Sequence, residues 1–172
     1  EFRRVLFRSQ EVKKLTDKYG VPLIINDDVE IALLADAAGV HVGQKDMEAG
    51  EARKKLGADK ILGVSCRTVE AAKRAEQMGA DYLGVGAMFA TSTKTEAEVI
   101  TKERLMSICQ AVSIPIVAIG GIKEDNMEVL KGSGIAGVAV ISGIYAQKDI
   151  EGACQRLLKL SKEITKQEAK EK

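Results

Sequence analysis

The sequence has no tryptophan, three phenylalanines, three tyrosines, two prolines and a single histidine. So few aromatic side chains argue against a base-stacking surface for RNA or single-stranded DNA, and against an aromatic-anchored docking face. No stretch approaches the about eighteen consecutive apolar residues of a membrane span, and none reads as a signal peptide. The cysteines, Cys66, Cys109 and Cys154, are scattered and odd in number. That pattern fits free thiols in a reducing cytoplasm rather than a disulfide framework. An excess of either charge is lacking too. With 26 Lys and Arg against 25 Asp and Glu the balance is +1, so neither nucleic acid nor an anionic membrane is an implied partner.

What is present fits one cytosolic domain acting on something small: 172 residues, 45% hydrophobic and 30% charged. Residues 1–9, Glu1-Phe2-Arg3-Arg4-Val5-Leu6-Phe7-Arg8-Ser9, differ from the rest in holding two of the three phenylalanines and a cluster of arginines. They resemble a translated sequencing adapter and are expected to be non-native; an amphipathic helix start is the plainer alternative. Without them one acid and three bases leave, and the balance moves from +1 to −1. The expected organisation is this segment, a domain over residues 10–167 and a frayed tail over 168–172.

Short apolar runs recur at 21–25, 39–43, 60–64, 81–86, 115–119 and 136–141. They are continuous rather than alternating, as strands buried on both faces of a parallel sheet are. Helical patterns fall between them, at 10–18, 29–36, 47–56, 68–78, 102–111, 124–131 and 149–167. Thr68 and Asp46 read as N-caps, and Gly57, Gly79 and Gly132 sit near helix ends. Pro22 and Pro115 introduce strands. The strands recur about every twenty residues, a weak βα repeat with one long step over 87–100. Strict βα alternation predicts a parallel sheet, wound either as a (β/α) barrel or as a doubly wound open sheet.

In both architectures ligands bind beyond the carboxyl ends of the strands. Asn26, Asp27 and Asp28 follow one strand, and Gln44, Lys45 and Asp46 the next. Asp27 and Asp46 could share a hard cation such as Mg²⁺, with phosphate oxygens completing its shell. Capping of the helices at 29 and 47 is the blander reading of these aspartates. Thr91, Ser92, Thr93 and Lys94 suit a phosphate or a solvated loop equally. Gly120-Gly121 and Ser142-Gly143, about twenty residues apart, fit the phosphate site after the last strands of a barrel. Ser65 has no His or Asp near it in sequence, so a hydrolase triad is unsupported. His41 reads as packing within a strand, and Cys66 as a small buried residue.

Ile25-Asn26-Asp27, Val42-Gly43-Gln44-Lys45-Asp46, Gly63-Val64-Ser65, Thr91-Ser92-Thr93-Lys94, Ile119-Gly120-Gly121-Ile122 and Val140-Ile141-Ser142 occur in order over about residues 10–160. This ordered set resembles the thiamine-phosphate synthase family of (β/α)₈ TIM barrels. The resemblance implies a transferase that joins a hydroxymethylpyrimidine diphosphate to a thiazole ethyl phosphate and releases diphosphate. It places Mg²⁺ on Asp27 and Asp46, and the pyrimidine diphosphate on Asn26, Ser65 and Lys94, with Lys94 and Ser65 catalytic. The thiazole phosphate falls to Thr91, Ser92, Thr93, Gly121, Ile141 and Ser142.

The chain departs from the family in showing six βα units where the family has eight, and no Gln-x-Arg-x-Lys motif before Asn26. The implied fold is therefore a TIM barrel lacking about its first two strands. An inactive or weakly active chain is expected, with open edges at 21–25 and 136–141 that favour aggregation or a homo-oligomer. A thiazole tautomerase and a non-catalytic thiazole-phosphate-binding barrel remnant are the competing readings. Retention of Asn26, Asp27, Asp46, Thr93 and Lys94 favours the synthase. A doubly wound nucleotide binder lacks its Gly-x-Gly-x-x-Gly turn.

Overall fold

A computed structural model describes residues 1–43, 46–90 and 98–165. In chain order the elements are α1 (Phe2–Lys18), β1 (Ile24–Asn26), α2 (Val29–Leu34), β2 (Gly39–Val42), α3 (Ala49–Leu56), β3 (Ile61–Cys66), α4 (Val69–Gln77), β4 (Tyr82–Val85), α5 (Lys102–Ala111), β5 (Ile116–Ile119), a 3₁₀ turn (Met127–Leu130), β6 (Gly137–Ala139), α6 (Ser142–Tyr145) and α7 (Ile150–Thr165). All six predicted strands are present, and their order along the sheet is β1-β2-β3-β4-β5-β6. A doubly wound sheet reverses its strand order at a switch point, so this unbroken sequence excludes that alternative and leaves barrel-type winding.

Local structure departs from the sequence expectations in four places. The helix expected over 10–18 begins already at Phe2, and the Phe2, Val5 and Phe7 side chains are exposed. The helix expected at 47 starts at Ala49, with Glu48 at its N-cap. Residues 124–131 contain only a 3₁₀ turn. The short α6, too brief to show a period, was not foreseen. Elsewhere the capping chemistry is as read. Thr68 Oγ1 accepts from the Ala71 amide at 3.1 Å, and Gly57, Gly79 and Gly132 take the positive φ angles that end helices.

The chain divides into two units: residues 1–66 with 74–83, and residues 67–73 with the chain from Gly84 onward. In the first, β1 pairs parallel with β2 and β2 with β3, so that Asn26 lies opposite His41 and His41 opposite Gly63. Val40, Val42, Leu62 and Val64 are buried on these strands, while Val29, Ile31, Ala52 and Leu56 bury the inner faces of α2 and α3. Each such large aliphatic side chain contributes about 1.5–3 kcal/mol of burial free energy. Gly39 carries no side chain because a Cβ there would strike the Ile61 carbonyl.

Arg53 ties the amino-end loops of the first unit together. Its guanidinium donates to the carbonyls of Gly57 (2.8 Å), Lys60 (2.7 Å) and Gly79 (2.8 and 3.0 Å), and to Asp81 Oδ2 at 2.5 Å. Asp81 Oδ2 also accepts from the Leu62 amide at 2.7 Å. One side chain thus satisfies carbonyls left by two helix ends and fixes where β3 and β4 begin.

In the second unit β5 pairs parallel with β6. Leu105 and Ile108 of α5, Ala118 of β5, Met127 and Leu130 of the 3₁₀ turn, and Ala153 and Leu157 of α7 are buried there. Among the described residues no helix is long and apolar enough to cross a membrane.

Arg53→Met retains the apolar stem and removes the fan of donors. It should lower stability by about 2 kcal/mol, read as a reduced midpoint in urea with an unchanged slope.

Candidate functional site

Beyond the carboxyl end of β1 the backbone turns sharply. Asp27 takes φ 67°, the left-handed region that costs a non-glycine residue about 1 kcal/mol or more. Two hydrogen bonds hold it there: its amide donates to the His41 carbonyl at 2.7 Å, and Asn26 Nδ2 donates to Asp27 Oδ2 at 2.6 Å. Asp28 then caps α2, its Oδ1 accepting from the Ile31 amide at 2.9 Å. The ambiguity between the two aspartates is resolved by this division: Asp28 caps, and Asp27 projects from the strand end.

Asp46 is also no helix cap, since α3 begins beyond it with Glu48 at the N-cap. Its Oδ2 instead accepts from the Gly43 amide at 2.8 Å. Asp27 and Asp46 are both exposed. They line one cavity of about 620 Å³ together with Asp28, Val29, Glu30, Leu33, Met47 and Lys55. Four carboxylates against one ammonium give this cavity a negative field that favours a cation. Among the described residues no group of three or more His, Cys, Asp or Glu side chains gathers as a metal cage. Two carboxylates with open positions suit Mg²⁺, which keeps waters and takes substrate phosphate oxygens rather than an all-protein shell.

Across β2, β3 and the start of β4 runs a polar line that the sequence does not reveal. His41 Nε2 lies 2.8 Å from Ser65 Oγ, and His41 Nδ1 lies 2.9 Å from the Tyr82 hydroxyl. The histidine read as packing therefore has a polar partner on each ring nitrogen. The serine without a histidine near it in sequence has one on the adjoining strand. Gly63 makes the line possible, since a Cβ there would meet both the His41 ring and the Tyr82 ring. The partner beyond the histidine is a phenol, not a carboxylate, so this is not a hydrolase triad. Burial pushes the Tyr82 hydroxyl above the usual phenol range, further from ionisation at physiological pH.

In the second unit Gly120 (φ 99°) and Gly121 (φ 65°) follow β5, both left-handed. A Cβ on Gly121 would strike the carbonyls of Phe89 and Ala90. Asn126 pins this turn, donating from Nδ2 to the Gly121 carbonyl at 2.9 Å and accepting from the Lys123 amide at 2.8 Å. Asn126 is a further residue that sequence reasoning passed over. Ile141 is exposed and Ser142 half-buried at the start of α6, after β6. Thr91, Ser92, Thr93 and Lys94, and with them Gln44 and Lys45, lie outside the described residues.

Consecutive parallel βα units, with acidic side chains after β1 and β2 and a glycine turn after β5, define an α/β enzyme of the TIM-barrel class. A family model described as thiamine monophosphate synthase matches residues 3–144. Over 149 residues the chain is 56% identical to the thiamine-phosphate synthase of Ruminiclostridium cellulolyticum, covering 87% of this chain and 71% of that protein. It is 54% identical to that of Clostridium tetani at the same coverage. The solved thiamine phosphate pyrophosphorylase from Pyrococcus furiosus superposes with a TM-score of 0.89 at 36% identity, over 96% of this chain and 80% of that one. The chain belongs to the thiamine-phosphate synthase family, whose members are transferases.

The suppressed ionisation of the Tyr82 phenol sets a pH dependence. Above the ordinary phenol range of about 10 the unfolded chain loses its proton before the folded one, so stability falls as pH rises. Cys109, pushed up to about 11 by burial, acts in the same direction from pH about 9. Tyr82→Phe should flatten part of this alkaline loss in denaturant midpoints measured between pH 8 and 11.

Proposed function

We propose that the chain performs the family's transfer with the residues at its strand ends in divided roles. The bond between the pyrimidine methylene carbon and its diphosphate oxygen breaks, and diphosphate leaves with the electron pair. The methylene carbon, cationic once that bond is lost, is taken by the thiazole nitrogen. Thiamine phosphate and diphosphate are the products, and no proton need be removed by a side chain. A chain with one histidine suits such chemistry.

In the first unit Asp27 and Asp46 are the groups that would hold Mg²⁺. Asn26 and Ser65 would bind the diphosphate of the pyrimidine substrate. When bound, Mg²⁺ supplies neutralisation of the charge that builds on the departing diphosphate. Lys94 belongs to the same reading as a cation for the diphosphate. In the second unit the Gly120-Gly121 turn, Ile141 and Ser142 would hold the thiazole phosphate, with Thr91, Ser92 and Thr93 assigned to it as well. Cytoplasmic residence is part of this reading, supported by the exposed free thiol of Cys154.

The observation that carries the proposal is the separation of duties after β1 and β2. Asp28 takes the helix cap, while Asp27 and Asp46, neither of them spent on capping, line one cavity.

Calorimetry with Mg²⁺ and inorganic pyrophosphate tests it alongside turnover assays. Asp27→Asn and Asp46→Asn should each weaken Mg²⁺-dependent pyrophosphate binding and lower kcat/KM about 10²-fold. Asp28→Ala should cost about 1 kcal/mol of stability while keeping the Mg²⁺ dependence. Pyrophosphate binding that is indifferent to Mg²⁺, or to both Asn substitutions, would overturn the assignment.

A further inference from the structure

The line Tyr82–His41–Ser65 has a property that hydrogen-bond counting alone misses. A neutral imidazole carries one N–H, so a phenol on one ring nitrogen and a hydroxyl on the other admit two polarities. In one, Tyr82 donates to Nδ1, the ring proton sits on Nε2, and Nε2 donates to Ser65 Oγ. The serine proton is then directed onward as a donor. In the other, Nδ1–H donates to the phenol oxygen and Ser65 donates to Nε2, leaving the serine to offer only lone pairs. Of these two neutral arrangements, an anionic ligand is served by the first alone.

We infer that Tyr82 and His41 are positioning residues that hold Ser65 as a hydrogen-bond donor toward a diphosphate. The inference rests on the reading that Ser65 faces that substrate group. Three observations establish the line itself, and the charge of the ligand selects its direction. The two distances, 2.9 and 2.8 Å, place both ring nitrogens in hydrogen bonds at once. The His41 and Tyr82 rings are tilted by 42° with centroids 5.4 Å apart, so they meet through the nitrogen and hydroxyl rather than by stacking. Gly63 stands opposite His41 in register, and any side chain there would fill the space that the histidine and the phenol use. The phenol is also an uncharged anchor, where a carboxylate in its place would draw the ring toward imidazolium.

His41 is the only histidine in the chain, so its ring nitrogens give one unambiguous pair of ¹⁵N resonances in the wild-type protein. The expected spectrum is that of the neutral tautomer protonated on Nε2, with an acceptor-type shift on Nδ1, and addition of Mg²⁺ with inorganic pyrophosphate should sharpen it. A Nδ1-protonated tautomer in the ligand-bound wild type overturns the inference, and needs no variant to fold. Calorimetry gives the second reading. Tyr82→Phe and Ser65→Ala should each weaken Mg²⁺–pyrophosphate binding about tenfold, the worth of one hydrogen bond to a charged group. The double variant should bind no more weakly than Ser65→Ala alone. Additive losses would mean that Tyr82 acts on the fold and not through Ser65, and would overturn the inference. Unchanged affinity in Ser65→Ala with the Nε2–H tautomer intact would overturn it differently, by showing that Ser65 does not face the diphosphate.

Discussion

The register of β2 against its two neighbours in the first unit is the constraint on which the polar residues there depend. In parallel pairing each residue of β2 is fixed opposite one residue on either side. Placing Gly39 against Ile24 and Ile61 therefore also places His41 against Asn26 and Gly63. A slip of one residue would turn His41 into the buried layer of Val40 and Val42 and turn a valine out. The cost of burying an unpaired imidazole and exposing an aliphatic side chain makes such a slip unfavourable by several kcal/mol. The apolar pattern of these strands therefore fixes more than a core. It sets which polar atoms meet at their ends.

That register explains why an energetically poor backbone angle survives at Asp27. Its left-handed conformation is over-determined: the His41 carbonyl takes its amide, Asn26 takes its carboxylate, and Asp28 begins the next helix directly afterwards. Releasing any one of these leaves the other two in place. Strain held in this way is common where a side chain must point along a direction that regular structure does not offer. Beyond the next strand Asp46 is held by another route, its carboxylate accepting from the Gly43 amide.

Much of this was legible in the sequence, and the remainder was not for a definite reason. Continuous apolar runs gave the six strands, and glycines at helix ends gave their punctuation, because both depend on neighbours along the chain. The family resemblance rested on short polar motifs directly after those runs and needed no knowledge of packing. His41, Tyr82 and Gly63 were read as packing or passed over, because their meaning lies across strands, with 41 positions separating His41 from Tyr82. A lone histidine in a strand looks the same whether it faces valines or a serine and a phenol. Asn126 was missed likewise, since its work is a pair of backbone hydrogen bonds to Gly121 and Lys123 rather than any motif. The choice between Asp27 and Asp28 as a cap could be settled only once backbone angles were known.

The scarcity of histidine and aromatic side chains has a chemical counterpart. A reaction whose leaving group is already an excellent one needs charge compensation and orientation more than proton abstraction. General-base histidines would add little to it, and aromatic platforms would add none of the negative field that the aspartates supply. The one histidine present lies between two uncharged partners, the Tyr82 hydroxyl and Ser65 Oγ. A carboxylate in place of Tyr82 would have made a proton relay of the same geometry. The phenol makes a fixed dipole instead, and a fixed dipole is what a developing anion rewards.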